Sequence, residues 1–583
     1  MIYTEPTSSD RILAKVSPSL NLVSPLLEGE VSAPPGLAPG DVLELELARG
    51  TREIVAHTRL AEGGTARAAM FHVAIEVGAN PYFSEDIRRE VASIDFDASL
   101  ADPSLEDLTA LPFVTIDGPT SRDLDQALYV VVTAEGFAVD YALADAAHFV
   151  PKGSALFREA LLRGASVYLP GFSVPMLPRE LSEGMVSLNP DGPRRALVFR
   201  TRVNHAGDVI ETRVVRARVR SRAKLSFPEV QAFYDQGTGP LSKAEFTKSL
   251  EALRSVGNAL IEESRSREVA RYRRGETEFV VTGERGETLA LVDAPRLNVE
   301  LYNEQLSLLV NREGAKILVA SPAPHVQPIY RVHPSPPEER LGLLREALDG
   351  VVAVHSLGEE FCFDPDERSL AEFLAQLPRE GREGRIADAV HRQAIVVNAR
   401  STFSADVGKH HGVGAEAYAR FSAPMREVVG VFVHHEMFEL LTGTGDTAPN
   451  LREGVVIAAN RSKDTQRKAN DLVGRYYLDR LLAADLLVAP EERPRRKGTV
   501  MGFTPSKLHI ALEDPPLDVK LYLRDVGRTR GGAWLASANG GAALRDKETG
   551  NVLVRLGDTA TVFTEGRDER QDRWVLQLGD VLP

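Results

Sequence analysis

The sequence predicts a multidomain α+β protein: a small N-terminal β-barrel, a large mixed domain and a C-terminal β-barrel of the OB type. Three observations predict it. A chain of 583 residues exceeds what one hydrophobic core normally organises. In the long middle region strand-like runs come first and helix-like runs follow, the order expected of a sheet covered by helices. The C-terminal stretch carries five strand candidates at barrel-like spacing.

Taken in order, "RILAKV", "LEGEV" and "DVLELELARG" read as short strands between Pro/Gly turns such as "APPGLAPGD". They predict a small barrel over residues 1–75, with a winged helix as the alternative. Around 68–93 the pattern turns helical ("RAAMFHVAIEVG", then "SEDIRREVASI"), the polar "DFDASLADPSLEDLTALP" follows, and a helical connector is expected over 76–112. From 113 to 488 the strands "ALYVVV", "FAVDYALA", "ALVFRTRV" and "VIETRVVRARV" precede helices expected near 249–274, 298–319, 336–348, 384–400, 426–442 and 463–485. The final domain spans 489–583 and opens on the basic linker "EERPRRKGTV". Its strand candidates are "GTVMGF", "KLHIAL", "VKLYL", "NVLVRLGDTATVF" and "RWVLQL".

The composition, 43% hydrophobic and 26% charged, is that of a globular protein. No run of about 18 apolar residues is present, so no membrane span is expected. The start lacks the basic and apolar regions of a secretory signal. A cytoplasmic monomer is the expectation. The lone cysteine, Cys362, excludes an intrachain disulfide and a cysteine-based zinc cluster. Its aromatic flanks in "EEFCFDP" predict a buried, inert thiol. A net charge of −14 excludes a chain coated in positive charge, though not a local basic channel.

The densest chemistry is "VTIDGPTSRDLDQALYVVV", 114–132. Asp123 and Asp125 flank Leu124, so an extended backbone points both carboxylates to one side and the leucine to the other. Asp117 precedes a Gly-Pro turn that can fold back toward them. Three such carboxylates suit Mg²⁺, which takes a few oxygen ligands and keeps water positions for phosphate. The alternative is a solvated loop, because "DFD" and "DPD" recur elsewhere in the chain. Arg216, Arg218, Arg220, Arg222 and Lys224 fall at two-residue spacing with no acidic residue between 212 and 228. They read either as a phosphate-tracking face or as a protected sheet edge. "RSREVARYRR", 265–274, adds a basic face with an aromatic. Glu300, Glu304 and Asn311 share one helix face. The pairs His410–His411 and His434–His435 lack the spacing and third ligand of a zinc site.

The aspartate stretch resembles the first motif of the ribonuclease II / ribonuclease R (RNB) family of 3′→5′ exoribonucleases, roughly T-I-D, five residues, then D-x-D-D-A. Three further segments resemble that family's motifs in the same order: "ASVYLPGFSVPMLPRELSEGMVSLNP" (165–190), "VELYNEQLSLLVN" (299–311) and "HHGVGAEAYARFSAPMREVVGVFVHH" (410–435). The C-terminal barrel matches the OB-fold RNA-binding domain common at that end of the family. The resemblance implies a processive, metal-dependent hydrolase that shortens single-stranded RNA from its 3′ end to nucleoside 5′-monophosphates, using Mg²⁺ or alternatively Mn²⁺. By the same resemblance Asp117, Asp123 and Asp125 hold metal; Gln126, whose amide oxygen can still coordinate, is a further candidate ligand that the sequence leaves open. Arg426 stabilises charge on the scissile phosphate. Tyr168 stacks on a base and Glu304 contacts the terminal nucleotide. The basic strand would then form the approach channel.

The chain also departs from the family pattern. Gln126 replaces a second consecutive aspartate, and Gln305 follows Glu304 where paired glutamates are expected. Val428 and Gly430 replace a tyrosine and an aspartate, and Gln466 stands where a glutamate is expected. Each change removes an acid or a polar anchor. The competing expectation is therefore a catalytically impaired relative that holds RNA 3′ ends without cutting. A third is a metal-dependent hydrolase of another phosphate ester.

Overall fold

Five short antiparallel strands begin the chain: β1 (Arg11–Val16), β2 (Asn21–Val23), β3 (Val31–Ser32), β4 (Val42–Leu47) and β5 (Ile54–Ala61), in spatial order β3-β2-β1-β4-β5. The apolar-polar alternation of "LELEL" turns Leu43, Leu45 and Leu47 inward, where they pack with Ile12, Ala14 and Leu22. The computed structural model describes residues 10–48, 53–267, 269–270, 272, 276–321, 323–445 and 449–582. Among these no helix precedes Ala66. The N-terminal unit is thus a curled, OB-like β-structure, and the winged-helix alternative is set aside.

The large domain is built on a seven-stranded sheet. Its members are β6 (Glu106–Asp107), β7 (Phe113–Asp117), β8 (Gln126–Thr133), β9 (Gly136–Ala144), β12 (Arg194–Asn204), β13 (Val209–Val219) and β14 (Ser221–Ser226). A small hairpin, β10 (Val167–Leu169) and β11 (Phe172–Val174), stands apart from it. The spatial order is β14-β7-β8-β9-β12-β13-β6. Only Arg220 separates β13 from β14, yet the two lie toward opposite ends of that order. The sheet must therefore curl back on itself, and the expected continuous basic strand is two strands.

Helices Thr247–Ser266, Asn298–Val319 and Val428–Thr442 bury this sheet. Tyr141 and Phe199 from the strands pack with Leu306, Val310, Phe421 and Phe432 in the main core. The helix expected at 463–485 begins earlier and runs Pro449–Asp485, 37 residues or about 55 Å at 1.5 Å per residue. Its Ala469 and Val473 pack against the N-terminal helix Ala66–Glu76. Its Leu482 packs into the C-terminal core. One helix thus braces three units.

The C-terminal unit holds a five-stranded and a three-stranded sheet. The run "NVLVRLGDTATVF" is two strands there, Val552–Arg555 and Thr559–Asp568, broken at a turn containing Gly557. Cys362 corrects its expectation. Phe361 and Phe363 are buried on one side, so the residue between them points outward and the thiol is exposed.

A buried charge cluster locks the sheet to its connector. The Arg195 side chain is fully buried. Its Nε lies 3.2 Å from Asp145 Oδ2, its Nη2 lies 3.1 Å from Asp102 Oδ2, and Nη1 donates to the Ser99 carbonyl. Arg216 donates to the same Asp145 oxygen at 2.8 Å. Burial opposes the Asp145 charge, but the two guanidinium groups outweigh it and hold the carboxyl below its usual value. Arg195→Met leaves Asp102 and the Ser99 carbonyl without their cation. It should destabilise the protein by about 3–5 kcal/mol, read as a lowered urea midpoint.

Candidate active site

Strand β7 ends at Asp117, where the Gly118-Pro119 turn begins. The Gly118 amide and the Ser121 hydroxyl both donate to Asp117 Oδ1, at 2.7 and 2.9 Å. That leaves Oδ2 free to face inward. The chain then extends through 122–125, pinned by Ser187 Oγ, which accepts from the Leu124 amide at 3.0 Å and donates to the Arg122 carbonyl at 2.7 Å. Leu124 is buried in the core, while the aspartates on either side of it turn the opposite way, as the two-residue period requires.

The carboxylates converge on Arg426. Its Nε lies 2.7 Å from Asp125 Oδ2 and 3.1 Å from Asp123 Oδ2, and its Nη2 lies 3.2 Å from Asp117 Oδ2. Nη2 also donates to the Asp123 carbonyl at 3.0 Å. Burial pushes the Asp125 carboxyl up to about 7 although Arg426 pulls the other way, and it pushes Asp123 up as well. Burial works against the Arg426 charge too, yet Asp125, Tyr168 and the other carboxylates hold its pKa above the usual value.

Backbone contacts explain how this guanidinium is aimed. The Asp125 carboxylate accepts from the Met425 amide at 3.0 Å. The Arg426 carbonyl accepts from the Ser166 amide at 2.9 Å, and the Val428 amide donates to Gly164 at 2.9 Å. Gly164 has φ +72°, and a Cβ there would meet the Ala458 carbonyl at 2.6 Å, so only glycine lets the long helix approach. Asn311, fully buried, accepts from the Phe421 and Ser422 amides and donates to Tyr418 and Ser422. It is a support for the arginine-bearing segment rather than part of an exposed helix face.

Tyr168 sits two residues beyond Ser166 on β10, and its side chain lines the same cavity as Arg426. Gln466 clamps its backbone: Oε1 accepts from the Tyr168 amide and Nε2 donates to the Tyr168 carbonyl, each at 2.9 Å. A glutamate could make only the first of these bonds. Glu304 lines the cavity as well and pairs with Arg296 at 2.9 Å. Gln126 opens β8, and its Oε1 accepts from Ser307 Oγ at 3.4 Å. It faces the helix Asn298–Val319 across the cavity, which measures about 600 Å³.

The basic strand has other work. Arg216 belongs to the Asp145 cluster and lies 4.1 Å from the Phe438 ring centre. Arg218 pairs with Asp107 at 3.3 Å and with the Leu100 carbonyl. Arg222 reaches the Thr109 carbonyl and Glu245, and Lys224 donates to the Ser121 carbonyl. Arg220 is exposed in the break between β13 and β14. None of the five lines the cavity. Distant acids and carbonyls take up most of these charges, so the expectation that they are unpaired is corrected. The basic stretch 265–274 lies partly outside the described residues. His434 and His435 donate through Nε2 to the Phe421 and Val150 carbonyls, each at 2.9 Å. Burial pushes both down to about 4, so they are neutral donors.

The sequence reading missed Arg331, Arg420, Glu427 and Lys463, which also line the cavity. Only the seven-residue spacing of Arg420 and Glu427 around "FSAPMR" hinted at them. For a divalent ion, the hard oxygens of Asp117, Asp123, Asp125 and Gln126 are the right donors. As placed, the three aspartates enclose the guanidinium while Gln126 turns to Ser307, and among the described residues no three His, Cys, Asp or Glu side chains are set to hold an ion. Arg426 Nε is buried and makes no well-directed hydrogen bond. It is therefore an imperfect partner for carboxylates that a spherical cation would suit.

The family model described as RNB domain matches residues 105–443. Ribonuclease R of Mycoplasma pneumoniae is 25% identical over 507 residues, covering 84% of this chain and 66% of that protein. Exoribonuclease 2 of an Enterobacter species is 30% identical over 391 residues, covering 66% of this chain and 58% of that protein. The chain thus spans less than two thirds of the length of either. The apo form of ribonuclease R from Mycoplasma genitalium superposes with a TM-score of 0.78 at 20% identity, covering 98% of this chain and 90% of that one, a likeness of fold.

Two outcomes follow from the geometry. A carboxyl raised from 3.8 to about 7 by folding holds its proton more tightly in the folded state. Its contribution is full below the lower value and is lost as pH rises through the higher one. Thermal stability should decline across that window, and Asp125→Asn should flatten the decline. Gln466→Glu, which sets a carboxylate against the Tyr168 carbonyl, should cost about 1–3 kcal/mol and speed amide hydrogen exchange over 166–169.

Proposed function

The chain belongs to the RNB family, and from that premise we propose that it is a 3′→5′ exoribonuclease acting on single-stranded RNA by metal-assisted phosphodiester hydrolysis. The observation that supports this most is one cavity in which Asp117 and Asp125 meet Arg426, with Tyr168 on its wall. A fold alone would not carry it, since folds host many functions.

In this proposal Asp117, Asp123, Asp125 and the amide oxygen of Gln126 hold Mg²⁺ or Mn²⁺. When bound, the ion supplies an activated water and charge stabilisation at the phosphate. The protein's own residues do the rest. Arg426 leaves its carboxylates for the scissile phosphate, which its planar fork can engage through two donors. Tyr168, held by Gln466, offers a ring face to a base. Glu304 exchanges Arg296 for the hydroxyls of the terminal ribose, the group that separates RNA from DNA. A role in RNA turnover follows from this chemistry, and a cytoplasmic place for it is part of the same proposal.

The departure at Gln126 favours a second reading, a relative that holds 3′ ends without cutting, because the pocket lacks one negative charge for an ion. Oligo(A) labelled at its 5′ end and incubated with Mg²⁺ should give a ladder shortening from the 3′ end. Asp125→Asn should abolish the ladder while binding persists, and Arg426→Ala should slow it by about 10²–10³-fold. Tight binding by the unaltered protein without shortening would establish the second reading. Titration calorimetry with Mn²⁺ should show heat that Asp125→Asn removes and Gln126→Asp increases.

A further inference from the structure

The cavity wall away from the aspartates is positive, and the scheme above leaves that wall unused. Arg331 enters from the short strand Tyr330–Val332, Arg420 from the segment leading to Arg426, and Lys463 from the long helix Pro449–Asp485. One acid stands among them, Glu427, and Arg420 takes it at 2.9 Å. Arg331 reaches only the neutral Ser401 hydroxyl, at 3.2 and 3.1 Å. Lys463 Nζ is buried without a hydrogen-bond partner, 4.1 Å from the Phe403 ring centre. Among the described residues neither Arg331 nor Lys463 has a carboxylate partner.

Buried ammonium groups are costly unless paired, and a π face replaces only part of a lost hydration shell. Burial first, then Arg331 and Arg420, push Lys463 down to about 7. Its charged surroundings are Arg331, Arg420 and Glu427 across the wall and Arg467 on its own helix. His410, whose own value falls to about 3, is neutral there. An anion arriving at this wall would neutralise two unmatched cations, leave Glu427 with Arg420, and draw a proton onto Lys463.

We propose that Arg331, Arg420 and Lys463 form a second phosphate subsite, which holds the backbone phosphate flanking the one presented to Arg426. This rests on reading the cavity as an RNA site. The subsite would fix the register of the strand, with one phosphate over the aspartates and its neighbour against the basic wall. Lys463 is then a positioning residue, and its ammonium turns from Phe403 to the phosphate on binding.

The test is equilibrium binding of fluorescent oligo(A) to the full chain in EDTA, where metal-dependent cutting is suppressed. Lys463→Met should weaken binding about tenfold and lower the salt slope by about 0.7, one contact on a single strand. Binding by the unaltered protein should weaken from about pH 6 to about pH 8 as Lys463 and Asp125 both lose their protons. Lys463→Arg should retain affinity and lose the lysine's share of that pH dependence, leaving the share of Asp125. A neutral methylphosphonate at the linkage flanking the terminal one should weaken the unaltered protein and leave Lys463→Met little changed. Removing a poorly paired buried charge should leave the melting temperature of Lys463→Met equal or higher, so that lost binding is not lost folding. Unchanged affinity and salt slope in Lys463→Met, or an equal methylphosphonate penalty in both proteins, would overturn the subsite. Failure of the unaltered protein to bind oligo(A) at all would instead overturn the RNA reading beneath it.

Discussion

One guanidinium holds the site together. Two ionised carboxylates about 4 Å apart repel by roughly 4 kcal/mol at an effective dielectric near 20, and three aspartates meet here in partial burial. Arg426 supplies the positive charge that allows it, with contacts of 2.7 to 3.2 Å to all three. Its position in sequence, some 300 residues from the aspartates, makes it a long-range staple. It joins the end of β7 and the start of β8 to the helix Val428–Thr442. Its carbonyl also ties in Ser166 and, through it, the hairpin that carries Tyr168. The acid loop, the arginine and the strand that carries the aromatic are therefore tied by direct contacts.

That staple gives the cavity two electrical ends. The aspartate end carries excess negative charge even after Arg426 is counted, and the far wall carries excess positive charge in Arg331 and Lys463. A polyanion needs both. A carboxylate end alone would repel it, and a basic wall alone would bind it without presenting any one linkage to the acids. The global charge of −14 does not conflict with this, because association responds to the local field.

The elements most legible in the sequence were those set by local periodicity. Asp123 and Asp125 share a side because a strand alternates every residue, and the helix expected at 298–319 is observed over the same span. What failed required knowledge of distant partners. Arg216 looked unpaired because its acid, Asp145, lies 71 residues away, and Arg218 finds Asp107 at a separation of 111. A run of cations without nearby acids in sequence is thus no sign of a free surface. Lys463 was illegible for the same reason. Nothing in "NRSKDTQRK" shows that its ammonium will face two arginines from other elements, and such a surface-like run gave no reason to start the long helix at Pro449.

Gln126 takes on a different meaning once the surroundings are known. As a lost ligand it is a deficit, but burial already opposes ionisation of the acids, with Asp125 pushed up to about 7. A fourth carboxylate beside the other three would add repulsion that a single guanidinium cannot offset. An amide adds none, keeps an oxygen available, and hydrogen-bonds Ser307 across the cavity. With three aspartates against one arginine the formal charge is −2, which one divalent cation would neutralise. In the proposed metal site the glutamine would therefore leave three acids to one arginine and one divalent ion, and the charge it withholds from the ion is to be weighed against that relief of repulsion.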